Sequence, residues 1–162
     1  MSSSSAAVTR PATGRAGAFA LAILVIAADQ LSKWLALHYL APYEPVPLLP
    51  GLNATLLFNT GAAFSFLSEA GGWQHWLFLL LAFVVALVLA VWLWRGVPER
   101  GTRVALALLL GGALGNAIDR LYRGHVVDFI DVYAGRWHWP AFNLADSAIT
   151  LGVLLLLWTT RR

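Results

Sequence analysis

Four aspartates, Asp29, Asp119, Asp128 and Asp146, lie in or beside long apolar stretches of a chain that has only eight carboxylates. A charged side chain at the centre of a membrane helix costs about 2.5 to 3.5 kcal/mol on insertion scales, so acids in such surroundings predict a functional site. Two carboxyl groups in contrasting environments can share a proton and activate water. The chemistry to look for is therefore that of a carboxyl pair.

Asp128 and Asp146 are the candidates for such a pair. Asp128 stands between valines and the sequence Phe129-Ile130, and this apolar setting disfavours the ionised form. Asp146 lies near the predicted N-terminus of a helix, whose dipole favours the anion. The two would titrate as one unit if they met. Sequence spacing does not establish that they meet.

Other polar residues in the apolar stretches could support this pair or only hold helices together. Asn116 and Asp119 are three residues apart, and so are Asn143 and Asp146, which predicts that each amide shares a helix face with its carboxylate. Interhelical polar pairs of this kind also stabilise membrane bundles without any catalytic role. Both interpretations remain open from the spacing.

Two charged pairs are predicted to be structural. Asp29 and Lys33 are four residues apart, the spacing of an ion pair on a helix. Asp119 is followed directly by Arg120, and we expect these two side chains to neutralise one another. Gly111 and Gly115 form a G-x-x-x-G step that predicts close packing of their helix against a neighbour.

The composition is that of an integral membrane protein. Of the 162 residues, 59% are hydrophobic and 12% are charged, against about 45 to 50% apolar and about 25% charged in soluble domains. The absence of cysteine excludes disulfides, thiolate catalysis and thiolate-bound zinc. The formal charge of +3 maps to predicted membrane loops and indicates no nucleic-acid partner.

The fold class predicted is an all-α integral membrane protein with four transmembrane helices. The first apolar stretch is too long for a signal peptide and carries two charges, so we expect a retained helix. Arginines concentrate in the segments that would lie inside, which places both termini in the cytoplasm. A disordered cytoplasmic tail is expected at 1–15 and a single four-helix domain at 16–162. The four predicted spans are 17–37, 73–94, 103–121 and 140–158.

The two outer segments have different compositions. Residues 41–72 begin with a run of prolines, and 52–67 within them suggest short strands or a turn on the membrane surface. Residues 123–139 include Trp137 and Trp139, which suit an interfacial belt.

With this orientation the charged and amide side chains of the first, third and fourth spans converge on the outer half of the membrane. A channel or proton relay requires polar groups through the whole bilayer, so the distribution favours a site. A proton-coupled carrier using the same acids and a structural subunit bound to a partner are the alternatives from other functional classes.

Two other chemistries compete with the carboxyl pair. His125, Asp128 and Asp131 have helical spacing for a metal site, but no second histidine is close by. Lys33, the only lysine, could serve a serine as a base, with Ser65 or Ser147 as nucleophile, but an ion pair with Asp29 would keep it protonated. No metal and no organic cofactor are expected.

The chain closely resembles the lipoprotein signal peptidase (signal peptidase II) family of bacteria. Five segments carry the resemblance, in family order and at family-like spacing. They are DQLSK at 29–33, FNTGAAF at 58–64, GGALGNAIDR at 111–120, GHVVDF at 124–129 and FNLADS at 142–147.

The resemblance implies an aspartic endopeptidase of the bacterial inner membrane with its active site toward the periplasm. It would remove the signal peptide from diacylglyceryl-modified prolipoproteins, cutting before the lipidated cysteine, and globomycin-type cyclic peptides would inhibit it. It further implies an outer-surface β-cradle in the first external loop and contact with membrane lipids, and a monomer is expected. The implied catalytic residues are Asp128 and Asp146, and the implied supporting residues are Asp29, Lys33, Asn59, Asn116, Asp119, Arg120, Asn143 and Ala145.

Overall fold

The computed structural model describes residues 14–61 and 73–161 of the chain. They form four helices and a four-stranded sheet. The helices are α1 Arg15–Tyr39, α2 Trp73–Arg95, α3 Arg100–Arg123 and α4 Leu144–Thr160. The strands are β1 Pro45–Leu49, β2 Leu52–Asn59, β3 Val126–Ala134 and β4 Trp137–His138.

The helices follow the four predicted apolar stretches, with shifted ends. Arg15, predicted in the polar tail, is the first residue of α1, and the rest of the predicted tail, 1–13, lies outside the described residues. The fourth helix begins at Leu144 and not at Pro140, because Asn143 has extended backbone dihedral angles and caps it. An apolar stretch therefore locates a helix, while the capping residue determines where the helix starts.

The length and composition of three helices are sufficient to cross a membrane. Among the described residues these are α1, residues His75–Arg95 of α2, and α3, whereas the apolar helix α4 has 17 residues and is shorter. Large apolar side chains are exposed along α2, including Leu80 at 63%, Leu87 at 66% and Trp94 at 69%. An exposed apolar surface of this kind requires lipid around it, so the chain has the character of a multi-pass membrane protein.

Helix α3 is the centre of the bundle and contacts each of the other three helices. Its glycines make this possible. A Cβ built on Gly111 would lie 2.7 Å from the Cβ of Val25 in α1. One on Gly112 would lie 2.5 Å from the carbonyl oxygen of Ala145 in α4. The predicted close packing at the G-x-x-x-G step is confirmed, and Gly112 extends it to a second neighbouring helix.

Contacts at the two ends of the bundle show that the helices alternate in direction. At one end the threonine hydroxyls of Thr102 in α3 and Thr159 in α4 are 3.1 Å apart, and the side chain of Arg15 in α1 packs on Gly96 just after α2. At the other end the late part of α1 and the late part of α3 meet the start of α4. Alanine and leucine side chains fill the core between α1, α2 and α3.

The sheet lies at this second end, in the order β1-β2-β3-β4 with antiparallel neighbours. The expected strands within 52–67 are confirmed for β2, and 62–67 lie outside the described residues. The sheet does not belong to the first external segment alone, since β3 and β4 come from the segment after α3, for which no strands were predicted. The backbone amide of Val127 donates to Asp119 at 3.1 Å, and this bond ties β3 to α3.

Candidate active site

A cluster of buried charges joins α1 to α3. The ammonium group of Lys33 lies 2.8 Å from Asp29 and 2.9 Å from Asp119, and all three side chains have no exposed surface. The predicted ion pair of Asp29 and Lys33 is therefore confirmed, and it has a third member. Removing one partner of such a buried cluster leaves an uncompensated charge, which costs about 3 to 5 kcal/mol.

Asp29 also holds the start of α4. Its Oδ1 accepts a hydrogen bond from the backbone amide of Ala145 at 2.9 Å, and Ala145 itself is fully buried. This amide belongs to the first turn of the helix, where N–H groups have no partner within the helix. Ala145 therefore contributes through its backbone N–H, and its small side chain fits against Gly115.

The expected pairing of Asp119 with Arg120 is wrong. Adjacent residues on a helix point in different directions, and Asp119 instead contacts Lys33 and, at 2.5 Å, Arg123 one turn further on. Gln30 completes this group, because its amide donates to Asp119 at 3.1 Å and accepts from Arg123 at 3.2 Å. The sequence reasoning missed Gln30 and Arg123, although the spacing of Arg123 from Asp119 is that of a helical ion pair.

Asn116 connects the buried charges to Asp146. Its side-chain oxygen accepts from Lys33 at 2.9 Å, and its amide nitrogen donates to Oδ1 of Asp146 at 2.8 Å. An ammonium group can only donate hydrogen bonds, so Lys33 determines which way the Asn116 amide faces. The Asn116 N–H therefore points at Asp146, which accepts the hydrogen bond as a carboxylate does.

Asn143 and Asp146 form the N-terminal cap of α4. The side-chain oxygen of Asn143 accepts from the backbone N–H of Asp146 at 3.0 Å. In return, Oδ2 of Asp146 accepts from the backbone N–H of Asn143 at 3.3 Å. This reciprocal arrangement is a capping box. The three-residue spacing that predicted a shared helix face thus has a different origin, since Asn143 precedes the helix. The position of Asp146 at a helix N-terminus is confirmed, and the helix dipole there favours negative charge.

Asp128 lies on β3, with 3% of its surface exposed. Its two oxygens accept from Asn143 at 2.7 Å and from Asn59 at 3.1 Å. Burial, together with the negative charge of Asp146, raises the pKa of Asp128 to about 7 even though both amides favour the anion. Near neutral pH this carboxyl is therefore partly protonated.

A chain of hydrogen bonds links the two candidate carboxyls. The Asn143 amide donates to Asp128 at 2.7 Å and to the Asn116 oxygen at 3.2 Å, and Asn116 donates to Asp146. Asp128 and Asp146 also line the same cavity, of about 660 Å³. The structure thus brings together residues that the sequence separates between a strand and a helix.

The dyad cavity, as we call this space, has a polar end and an apolar wall. Asn59, Asn116 and Arg120 line the polar end with the two aspartates. Arg120 donates to the carbonyl oxygen of Gly61 at 3.1 Å and lies over the ring of Phe78. The apolar wall includes Phe142, Ile149 and Leu151.

The other chemistries fit the geometry less well. Asp128 and Asp131 lie on strand β3 and His125 directly precedes it, so the three do not share a helix face. The His125 ring packs on Phe58. Lys33 is held between two carboxylates, and the Ser147 hydroxyl donates to the carbonyl of Asn143. Ser65 lies outside the described residues.

The chain is similar in sequence to curated lipoprotein signal peptidases. The lipoprotein signal peptidase of Acinetobacter baylyi is 56% identical over 142 residues, which cover 86% of this chain and 79% of the relative. The lipoprotein signal peptidase of Polynucleobacter necessarius is 50% identical over 139 residues, 86% of this chain and 85% of its own length. That of Burkholderia mallei is 51% identical over 142 residues, 88% and 86% of the two chains.

Solved structures agree with the fold. A bacterial membrane enzyme determined by the in meso method at 2.3 Å superposes with a TM-score of 0.80 at 31% identity, over 90% of this chain and 87% of the other. A second such structure at 1.9 Å gives a TM-score of 0.78, also at 31% identity, over 90% and 92%. The family model Peptidase_A8, described as signal peptidase (SPase) II, matches residues 21–162. The chain belongs to the signal peptidase II family.

Proposed function

We propose that the protein is an intramembrane aspartic endopeptidase that removes the signal peptide from diacylglyceryl-modified prolipoproteins, cleaving before the lipidated cysteine. The observation that carries this proposal is the linked pair of Asp128 and Asp146 in one cavity. One carboxyl is buried with a raised pKa, and the other caps a helix N-terminus as an acceptor. This is the asymmetry that an acid and a base in one step require.

In the proposed reaction the ionised Asp146 takes a proton from a water molecule, and the water oxygen attacks the carbonyl carbon of the scissile peptide bond. The protonated Asp128 gives its proton to the carbonyl oxygen, which forms a gem-diol. Asp146, now protonated, passes that proton to the leaving nitrogen as the C–N bond breaks, and Asp128 recovers a proton from the gem-diol as the new carboxyl group forms. The protons balance without a metal or cofactor.

The other lining groups would position the substrate. Asn59 and Asn143 hold Asp128, and Asn116 holds Asp146, so each carboxyl has a fixed direction. Arg120 offers guanidinium N–H groups at the polar end, where substrate carbonyl oxygens would lie. The apolar wall would take the signal helix or the acyl chains from the bilayer.

The proposal also includes the orientation of the protein in the membrane. All four helices would cross the bacterial inner membrane, with both termini in the cytoplasm and the sheet and dyad at the periplasmic side. A helix of 17 residues lies at the short end of the range that spans a bilayer. The buried charges cluster at the sheet end, which suits a site at one depth better than a relay across the membrane.

The test is cleavage of a diacylated prolipoprotein by the purified protein, read as a mobility shift on a gel, with and without globomycin. We expect the wild-type protein to cleave and globomycin to block it. Asp128→Asn and Asp146→Asn should each lower the rate by at least about 10³-fold, in the range of losses seen when an acid or base is removed. Glu44→Gln, an exposed carboxylate outside the cavity, is the control and should retain full activity. Full activity in both aspartate variants would contradict the mechanism.

A further inference from the structure

A second cavity of about 400 Å³ lies beside the dyad cavity. Trp139, Pro140 and Ala141 line both cavities, so the two are neighbours across this short segment. The rest of the second cavity is built by the sheet and the segment that precedes it, including Tyr43 and Thr55. The second cavity therefore opens at the sheet end, whereas the dyad cavity continues along α4 past Ile149 to Leu151.

A polar cluster in the second cavity plays no part in the proposed reaction. The carboxylate of Asp131 accepts from Asn53 and Thr55, each at 3.1 Å, and lies 2.7 Å from Nδ1 of His138. Burial opposes ionisation of Asp131, but these three hydrogen bonds outweigh it and hold its pKa below the usual range. Asp131 is therefore an anion at neutral pH. Neither the contact between Asp131 and His138 nor the strand was predicted for these residues.

The contact with Asp131 determines the orientation of the His138 ring. Because the Asp131 carboxylate only accepts, Nδ1 of His138 must donate to it, which leaves Nε2 for another partner. The Tyr133 ring stacks on the imidazole with centroids 5.3 Å apart, and the His138 side chain is 51% exposed. The ring is thus oriented on one side and open on the other.

From this geometry we propose that the second cavity is a subsite for the polypeptide that follows the lipidated cysteine, with His138 and Asp131 as specificity-determining residues. This inference rests on the proposed function. A substrate whose signal helix lies along α4 reaches the dyad from the membrane side, and its remaining chain must leave on the sheet side. On this path the chain passes 139–141, the segment that lines both cavities.

The lining predicts which side chains the subsite accepts. Asp131 supplies negative charge, His138 supplies a hydrogen-bonding nitrogen, and Tyr43 contributes an aromatic wall. A neutral polar or cationic side chain after the cysteine should bind well. An acidic side chain would meet the Asp131 anion and bind poorly.

The first test compares two synthetic diacylated lipopeptides, one ending as an amide at the cysteine and one continuing for six neutral polar residues. For the wild-type protein we expect the extended peptide to have the higher kcat/KM, by about 10-fold, through a lower KM. In His138→Ala the ratio of the two kcat/KM values should fall toward one. His38→Ala is the matched control, since that exposed histidine lies at the end of α1 against Trp34, outside the cavity, and should keep the wild-type ratio.

The outcomes separate the subsite from the proposed function. If the wild-type protein cleaves neither peptide, the proposed function fails. If it cleaves both with equal kcat/KM, or if His138→Ala lowers both values by the same factor, the subsite is rejected, because a merely structural histidine would affect both substrates alike.

The second test changes charge. Extended peptides carrying lysine or aspartate directly after the cysteine should differ by about 10-fold in KM for the wild-type protein, with lysine favoured. Asp131→Asn retains the size of the side chain and removes its charge, so this preference should largely disappear. An unchanged preference in Asp131→Asn would overturn the assignment of Asp131.

Discussion

Asp128 concentrates the chemistry of the site in one side chain. Its carboxyl is almost fully buried on β3, and it accepts hydrogen bonds from two amides that favour the anion. Burial and the charge of Asp146 outweigh these bonds, so the pKa rises to about 7. The proton that the proposed reaction delivers to the substrate is therefore present below about pH 7 and lost above it.

The raised pKa of Asp128 predicts how the rate of cleavage depends on pH. The value of kcat/KM should fall as the pH rises through about 7, by about tenfold per pH unit once Asp128 is ionised. Because the two carboxyls interact, the limb reports a pKa of the pair. The measurement is the initial rate of lipopeptide cleavage between pH 5 and pH 9, with circular dichroism at each pH to establish that the helices are intact. A rate that increases steadily through this range would contradict the assignment of Asp128 as the acid.

A substitution at Asn59 tests the same pH dependence of kcat/KM. Its amide stabilises the ionised form of Asp128, so Asn59→Ala should raise the pKa further and move the alkaline limb to higher pH, at a lower overall rate. A limb that moves to lower pH would show that Asn59 does not act on the proton of Asp128.

Part of this residue-scale arrangement could be predicted from sequence. The Asp29 and Lys33 pair follows from helical spacing, and the contrast between Asp128 and Asp146 follows from their neighbours. The pairing of Asp119 with Arg120 was wrong, because proximity along the chain is not proximity around a helix. The orientation of Asn116 by Lys33 required coordinates, since it depends on contacts between two helices.

At the scale of elements, the helices pack closely because α3 has glycines where it meets its neighbours. Gly112 lies where α3 meets α4, and its missing side chain allows the Ala145 carbonyl to approach closely. A methyl group there would also meet Cγ1 of Ile149 at 2.7 Å. Neither neighbour can give way easily, because one is helix backbone and the other is a branched side chain.

Gly112→Ala should therefore destabilise the protein by about 1 to 3 kcal/mol, the usual range for overpacking a close contact. The measurement is the midpoint of thermal unfolding in detergent. Gly17→Ala is the control, since a Cβ on that helical glycine has no heavy atom within 4 Å, and it should leave the midpoint unchanged or raise it slightly. An equal effect of the two substitutions would show that packing at Gly112 is not tight.

The helices could be predicted from the sequence, whereas most of the sheet could not. Long apolar stretches identify helices because lipid requires every backbone group to be bonded within the segment. A sheet pairs segments that are remote in sequence, such as Leu57 with Asp128, and no local pattern specifies that pairing. The segment from Val126 to Ala134 therefore carries both Asp128 and Asp131 on a strand that was not predicted.

At the scale of the whole molecule, charge differs between the two ends of the bundle. Among the described residues, the end opposite the sheet carries exposed arginines at Arg95, Arg100 and Arg161. Near the sheet, Asp29, Lys33 and Asp119 are buried together as ion pairs. Basic residues in short loops remain on the cytoplasmic side. The arginine-rich end should therefore face the cytoplasm, which places the dyad cavity where an exported lipoprotein precursor emerges.

The absence of cysteine makes this orientation directly measurable, because any cysteine introduced is a single reporter. Arg136→Cys lies in the exposed turn between β3 and β4, and Pro98→Cys lies in the exposed connection between α2 and α3. In intact spheroplasts a membrane-impermeant maleimide should label the Arg136 variant within minutes and the Pro98 variant only after lysis. Both variants should first be shown to cleave prolipoprotein, so that labelling reports on a folded enzyme. The reverse pattern would place the dyad on the cytoplasmic side, where a water molecule and two aspartates could still hydrolyse a peptide but no exported substrate would reach them.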